Sequence, residues 1–138
     1  MHSNLNPYLN FRDNTRQAME FYHTVFGGKL VMNTFKEFGV SLDPSEENKI
    51  MHSMVEAENG IVFMAADTPN YLPYTQGTDM HLSLSGDNEA ELRGYFEKLA
   101  VGGVIVQPLV AAPWGDTFGA VNDKFGVKWM VNISGHQE

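Results

Sequence analysis

Residues 6–28 decide the fold: they read NPYLNFRDNTRQAMEFYHTVFGG, and residues 79–103 repeat their pattern as DMHLSLSGDNEAELRGYFEKLAVGG. Each copy begins with alternating apolar residues, passes through a polar break, and continues with an apolar series that ends at a Gly-Gly pair. The two series consist of Ala18, Phe21, Tyr22, Val25 and Phe26, and of Leu92, Tyr95, Phe96, Leu99 and Ala100. Their spacing is that of one buried stripe on an α-helix. A repeat on this scale predicts two copies of one structural unit.

Polar residues and glycines predict where the two helices begin and end. Asn14, within Asp13-Asn14-Thr15, is a favourable first cap, and Asp87 is a favourable cap for the second helix. Gly27-Gly28 suits the left-handed exit of a helix that ends near Phe26.

Three strand-like segments follow each helix. They are residues 29–37, 49–57 and 61–67 in the first copy, and 104–111, 117–122 and 127–133 in the second. Asn59-Gly60 is a strong signal for a tight turn between two of them. We therefore predict an α+β fold in which two βαβββ modules form a curved, mostly antiparallel eight-stranded sheet with the helices on the outer face. The chain is predicted to be a single domain over 1–138, with modules at about 5–68 and 79–134 and a linker at 69–78.

Composition excludes several classes of function. The 138 residues carry a net charge of −8, from 9 basic and 17 acidic residues, and the basic residues are scattered singly. No basic stripe is available to bind nucleic acid. The chain has no cysteine, hence no disulfide or thiol nucleophile. No apolar run approaches the length of a membrane span, and the N-terminus lacks the pattern of a signal peptide, so we expect a cytoplasmic protein without membrane partners.

Alternation along the strands assigns side chains to the two faces of the predicted sheet. Leu9, Phe63 and Trp129 suit the face that the helices cover. The opposite, concave face would carry Tyr8, Asn10, Met64, His81, Met130 and Asn132. A concave sheet lined by mixed polar and apolar groups is a natural site for a small ligand.

The order of several motifs resembles the vicinal oxygen chelate superfamily, which includes glyoxalase I, bleomycin-resistance proteins and extradiol dioxygenases, and most closely its PhnB-like branch. The motifs are Asn6-Pro7-Tyr8-Leu9-Asn10-Phe11, Ala18-x-x-Phe21-Tyr22-x-x-Val25-Phe26-Gly27-Gly28, Met51-His52, Phe63-Met64-x-x-Asp67, Pro113-Trp114-Gly115 and Asp123-Lys124-Phe125-Gly126-Val127-x-Trp129-Met130-Val131-Asn132. Some relatives carry a ubiquinone-methyltransferase name. This sequence has no glycine-rich loop between a strand and a helix that would bind a methyl donor.

The resemblance also implies where a metal would be held. Metal-dependent members place one ligand on the first strand and one on the last strand of each module, which here correspond to Tyr8, Met64, His81 and Met130. Only His81 is a usual ligand, so we expect no metal and no other cofactor. His52 and Glu56, on one face of the third strand, leave open a different metal site together with His81.

His81 has three interpretations: a ligand contact or general base, a structural histidine, or a metal ligand. Trp114, between a proline and a glycine at a strand end, is interpreted as a pocket wall that Phe118 extends. The predicted ligand contacts are Tyr8, Asn10, His52, Met64, His81, Trp114, Phe118, Met130 and Asn132. The catalytic residue is unknown, and His81 is its candidate.

Three functions are compatible with this reasoning. The first is a PhnB-like protein that binds a small amphipathic or aromatic molecule in a metal-free concave pocket. The second is a glyoxalase- or dioxygenase-type enzyme, either metal-dependent or using His81 as acid and base. The third is an interaction protein with a vestigial cavity. A homodimer is expected in each case, because an open curved sheet must be closed by another module.

Overall fold

The structure is a computed structural model that describes residues 3–39 and 43–135. The chain divides into two compact units, Met1–Thr75 and Gln76–Glu138. The first unit contains β1 (Tyr8–Phe11), α1 (Thr15–Phe26), β2 (Lys29–Thr34), α2 (Phe35–Phe38), a 3-10 turn (Pro44–Glu46), β3 (Ile50–Glu56) and β4 (Val62–Asp67). The second contains β5 (Leu82–Gly86), α3 (Glu89–Leu99), β6 (Val104–Ala111), β7 (Thr117–Asn122) and β8 (Lys128–Ile133).

Each unit has one four-stranded sheet. The strand orders are β1-β4-β3-β2 in the first unit and β5-β8-β7-β6 in the second. The pairs β1·β4 and β5·β8 are parallel and the other pairs are antiparallel. The predicted α+β fold of two βαβββ modules is confirmed, and its eight strands form two mixed four-stranded sheets.

The first unit departs from the repeat after β2. The sequence pattern predicted a strand over 29–37, but β2 ends at Thr34 and α2 follows at once. The Thr34 side chain accepts a hydrogen bond from the Glu37 N–H at 3.1 Å, and the Thr34 N–H donates to Glu37 Oε1 at 2.8 Å. This reciprocal capping box favours a helix start over further extended chain.

Helix α1 buries its apolar stripe against the first sheet. Ala18, Tyr22, Val25 and Phe26 are buried, as the spacing predicted. Phe21, also predicted in the stripe, is only half-buried, and Met19, which the spacing did not include, is buried. The Phe63 ring of β4 lies edge-on to Tyr22 and Phe26, with ring centroids 5.5 and 5.7 Å apart. This aromatic cluster forms the centre of the core of the first unit.

Helix α3 covers the second sheet in the same way. Leu92, Tyr95, Phe96 and Leu99 are buried on the helix. Trp129 of β8 is 2% exposed, and its indole N–H donates to Asp123 Oδ2 at 2.9 Å.

The helix starts differ from the prediction in one detail each. Asn14 is the N-cap of α1 but makes no side-chain cap hydrogen bond. The N–H of Thr15 donates instead to Oδ1 of Asp67, at 3.1 Å. The cap of α3 is Asn88 rather than Asp87, since Asn88 Oδ1 accepts from the Glu91 N–H at 3.1 Å.

In the part of the chain that the structure describes, none of the helices has the length and apolar character needed to cross a membrane.

Candidate functional site

Each sheet has one face that its helix leaves uncovered, which we call the open face of that unit. Burial alternates as predicted along all of β8 and over residues 62–65 of β4, whereas Ala66 of β4 is buried like its neighbours. Phe63 and Trp129 are buried on the helix side, whereas Met64 and Met130 are half-buried on the open face. The two open faces hold the predicted contacts that lie within strands.

The open face of the first unit has an apolar row at its centre. The strand register places Tyr8 opposite Met64, Met64 opposite Met54, and Met54 opposite Val31. Two thioether side chains side by side form a flexible, polarizable surface that adapts to different apolar shapes. Tyr8 is 45% exposed at the end of this row. Partial burial raises the pKa of the Tyr8 hydroxyl, so it stays protonated at neutral pH and can donate a hydrogen bond.

Polar residues border the apolar row on both sides. Asn10 lies two residues after Tyr8 on β1, and His52 lies two residues before Met54 on β3. His52 pairs in register with Asn33. On the other side of the row, Lys29 of β2 pairs with Glu56 of β3. The open face therefore offers a narrow apolar surface between hydrogen-bonding groups, which suits an amphipathic molecule.

The open face of the second unit is more polar. One row of register partners consists of Ser83, Met130, Ala120 and Gln107, and the next consists of Ser85, Asn132, Phe118 and Val110. The structure thus places the predicted contacts Phe118 and Asn132 directly opposite each other. Met130 lies two residues before Asn132 on β8, on the same face.

Trp114 joins this face from the loop between β6 and β7. Its ring is tilted by 63° to that of Phe118, with centroids 5.8 Å apart, and the indole is 63% exposed. The loop is a tight turn, since the Ala112 N–H donates to the Asp116 carbonyl at 2.7 Å and the Gly115 N–H donates to the Ala112 carbonyl at 3.0 Å. Trp114 and Phe118, which were predicted to form a pocket wall, are therefore in edge-to-face contact.

Asp116 is a site residue that sequence reasoning missed. Asn132 Nδ2 donates to its Oδ2 at 2.9 Å, and the Gly135 N–H donates to its Oδ1 at 2.8 Å. The hydrogen bond from Asn132, and then that from Gly135, lowers the pKa of the Asp116 carboxyl, which is therefore ionised at neutral pH. Its position two residues after Trp114 was the available signal.

His81 does not take the position that the repeat predicted. Tyr8 lies opposite Met64, but the residue opposite Met130 is Ser83. His81 is exposed and precedes β5, which begins at Leu82. A two-residue shift keeps every side chain on the same face, so alternation alone does not detect it.

The donor groups do not fit a metal ion. Tyr8 and Met64 supply a phenol and a thioether, and the register replaces His81 by the Ser83 hydroxyl beside Met130. His52 and Glu56 are four residues apart in β3, about 13 Å along an extended strand. Within residues 3–39 and 43–135, no three His, Asp or Glu side chains are grouped where they could hold an ion. Ions such as Zn²⁺ or Fe²⁺ need several nitrogen, oxygen or thiolate ligands together.

Removal of metals is therefore expected to leave the stability unchanged. We predict that dialysis against a strong chelator shifts the melting temperature by less than about 1 °C, because a structural metal would contribute several kcal/mol. Elemental analysis before and after dialysis provides the control. One equivalent of zinc, nickel, manganese or iron, lost together with stability, would contradict this prediction.

Comparison with known proteins identifies sequences and structures that match nearly the whole chain. The profile of the Glyoxalase/Bleomycin resistance protein/Dioxygenase superfamily matches residues 4–131. Protein YjdN of Escherichia coli is 30% identical in an alignment of 140 positions that covers 94% of each chain.

Two solved structures resemble this one in both sequence and fold. Protein PA1353 from Pseudomonas aeruginosa is 35% identical, with a TM-score of 0.81, and the match covers 98% of this chain and 100% of that one. A PhnB protein from Bacillus cereus, described as a putative 3-demethylubiquinone-9 3-methyltransferase, is 29% identical, with a TM-score of 0.75 and coverage of 96% and 100%.

Proposed function

Because the chain belongs to the Glyoxalase/Bleomycin resistance protein/Dioxygenase superfamily and is PhnB-like, we propose that it binds a small amphipathic or aromatic molecule without a metal ion. The observation that carries this proposal is the row of Tyr8, Met64 and Met54 on the open face of the first unit, bordered by hydrogen-bonding side chains. Such a surface binds an apolar ring while a polar substituent reaches the border.

Methyl transfer is not part of the proposal. The name of the Bacillus cereus relative includes a methyltransferase activity. In this chain the connection between β1 and α1 reads Arg12-Asp13-Asn14, and it contains no glycine. In dinucleotide-binding folds a glycine-rich turn at this place lets the charged groups of the cofactor approach the backbone, and this connection does not offer such a turn.

A thermal-shift screen of small aromatic alcohols, amines and carboxylic acids tests the proposal. A ligand that binds only the folded protein raises the free energy of unfolding by about 2.7 kcal/mol at a hundredfold excess over Kd. We expect Met64→Gln to weaken a compound found in this way about fivefold, because it places a polar group in the apolar row.

The matched control for Met64→Gln is Glu20→Gln, on the exposed side of α1. This variant should leave the affinity unchanged. His81→Ala should weaken binding if His81 contacts the ligand, as the sequence predicted. A compound whose affinity is unaffected by both Met64→Gln and Tyr8→Ala would contradict the proposal.

We propose further that the protein is a homodimer. The edge strand β6 contains no charged residue, and Val104, Ile105, Val106 and Val110 are exposed on it. Exposed apolar side chains grouped on one strand favour burial against another chain, and two-fold dimers are the commonest assembly. Light scattering is expected to give twice the 15.4 kDa of one chain. A mass of 15.4 kDa at micromolar concentration would contradict this proposal.

A further inference from the structure

We infer that the cluster formed by Trp114, Asp116, Phe118 and Asn132 makes the open face of the second unit selective for organic cations, in particular molecules that carry a protonated amine or quaternary ammonium on an aromatic skeleton. This inference rests on the proposed function, because it specifies the class of small molecule that the open face of the second unit accepts. It depends on three properties of the cluster: exposed aromatic surface, a fixed carboxylate, and a carboxylate with which no lysine or arginine of residues 3–39 and 43–135 forms an ion pair.

The aromatic surface is available to a ligand. The Trp114 indole is 63% exposed although its ring packs on Phe118, which holds one side of it in place. The faces of aromatic rings attract cations, and Trp is the strongest of them. An exposed indole fixed by a second ring can therefore contact a cationic group without first being ordered.

The carboxylate is fixed by neutral donors. One oxygen of Asp116 accepts from the Asn132 amide at 2.9 Å and the other accepts from the Gly135 N–H at 2.8 Å. These bonds orient the carboxylate and leave its negative charge in place. Among the described residues each oxygen accepts one hydrogen bond, and a carboxylate oxygen can accept a second one from an ammonium group. Trp114 and Asp116 share the turn that begins at Ala112, so one small ligand can reach both.

Asp116 has no lysine or arginine partner in the part of the chain that the structure describes. Lys128 is four residues from Asn132 on β8, about 13 Å along the strand. The net charge of −8 adds a general attraction for cations. An anionic ligand would meet the Asp116 charge and is disfavoured.

A series of three probes with one skeleton tests the inference: 3-phenylpropylammonium, 3-phenyl-1-propanol and 3-phenylpropionate. The chain has two tryptophans, so the indole N–H signals of the ¹⁵N-labelled protein report on both Trp114 and Trp129. We expect the Trp114 signal to move and that of buried Trp129 to stay. The ammonium probe should bind about fivefold more tightly than the alcohol, and the carboxylate should bind most weakly.

Two variants assign the preference to Asp116. Asp116→Asn should reduce the preference for the ammonium probe to less than about twofold. Glu97→Gln, on the exposed side of α3, removes the same charge and should leave the preference unchanged. Equal affinity of the wild-type protein for the ammonium and the alcohol would overturn the inference. The proposed function would still stand if Met64→Gln weakened binding of the compound found in the thermal-shift screen. Failure of all three probes to move the Trp114 signal would also overturn the inference.

Discussion

Trp129→Ala is expected to lower the free energy of unfolding by about 3–5 kcal/mol, because it leaves a cavity beneath α3 where a buried indole had packed. The side chain is 2% exposed, and its N–H donates to buried Asp123. The Phe125 and Val127 N–H groups also donate to Asp123, at 2.8 and 3.1 Å, so loss of the indole also weakens the turn before β8. Urea unfolding followed by circular dichroism measures the change.

Trp129→Phe separates packing from hydrogen bonding. Phenylalanine keeps most of the apolar volume and loses the bond to Asp123, so we expect a smaller loss of about 1–3 kcal/mol. Trp114→Ala removes the exposed tryptophan and should cost about 1 kcal/mol or less. Equal losses for Trp129→Ala and Trp114→Ala would mean that the face assignment of β8 is wrong.

Asp67→Ala is expected to lower the free energy of unfolding of the protein by about 2–5 kcal/mol, since it leaves two buried backbone donors unsatisfied. The Asp67 side chain accepts from the Thr15 N–H at 3.1 Å and from the Ile50 N–H at 2.8 Å. It therefore joins the start of α1 to the start of β3. The residue is 5% exposed, so water does not replace these bonds.

Asp43→Ala is the matched control, because Asp43 also accepts a backbone hydrogen bond but is exposed. Its Oδ1 accepts from the Ser45 N–H at 3.0 Å, at the start of the 3-10 turn. We expect a loss of about 0.5–1 kcal/mol for this change. If Asp67→Ala costs no more than Asp43→Ala, the buried bonds of Asp67 contribute little to the stability of the first unit.

Local pattern predicted most of the fold. The apolar stripe of α1 and the alternation in β4 and β8 each depend on residues close in sequence. Both are found as predicted except at Phe21, which is half-buried, and at Ala66, which is buried. The end of β2 was missed although its signal was also local, since Thr34 and Glu37 form a capping box. The strand propensity of the preceding residues concealed that signal.

Contacts between distant residues could not be predicted from the sequence. Asp67 caps a helix that begins 52 residues earlier, and Asp116 is oriented by Asn132, 16 residues later. The register of β5 is a second example. A shift of two residues preserves the alternation, so the sequence around His81 gave no sign that Ser83, and not His81, lies opposite Met130. For the candidate residues within strands, the face of the sheet could therefore be predicted from the sequence, but the neighbours on adjacent strands could not.

Methionine methyl spectra show whether a ligand binds on the open faces. Met54, Met64 and Met130 lie on these faces, whereas Met19 is 0% exposed beneath α1. The protein labelled with ¹³C-methyl methionine is titrated with the compound that gives the largest thermal shift. We expect the signals of Met54, Met64 or Met130 to move in a saturable way while that of Met19 stays. Saturable binding that moves none of the first three signals would mean that the ligand does not bind on the open faces.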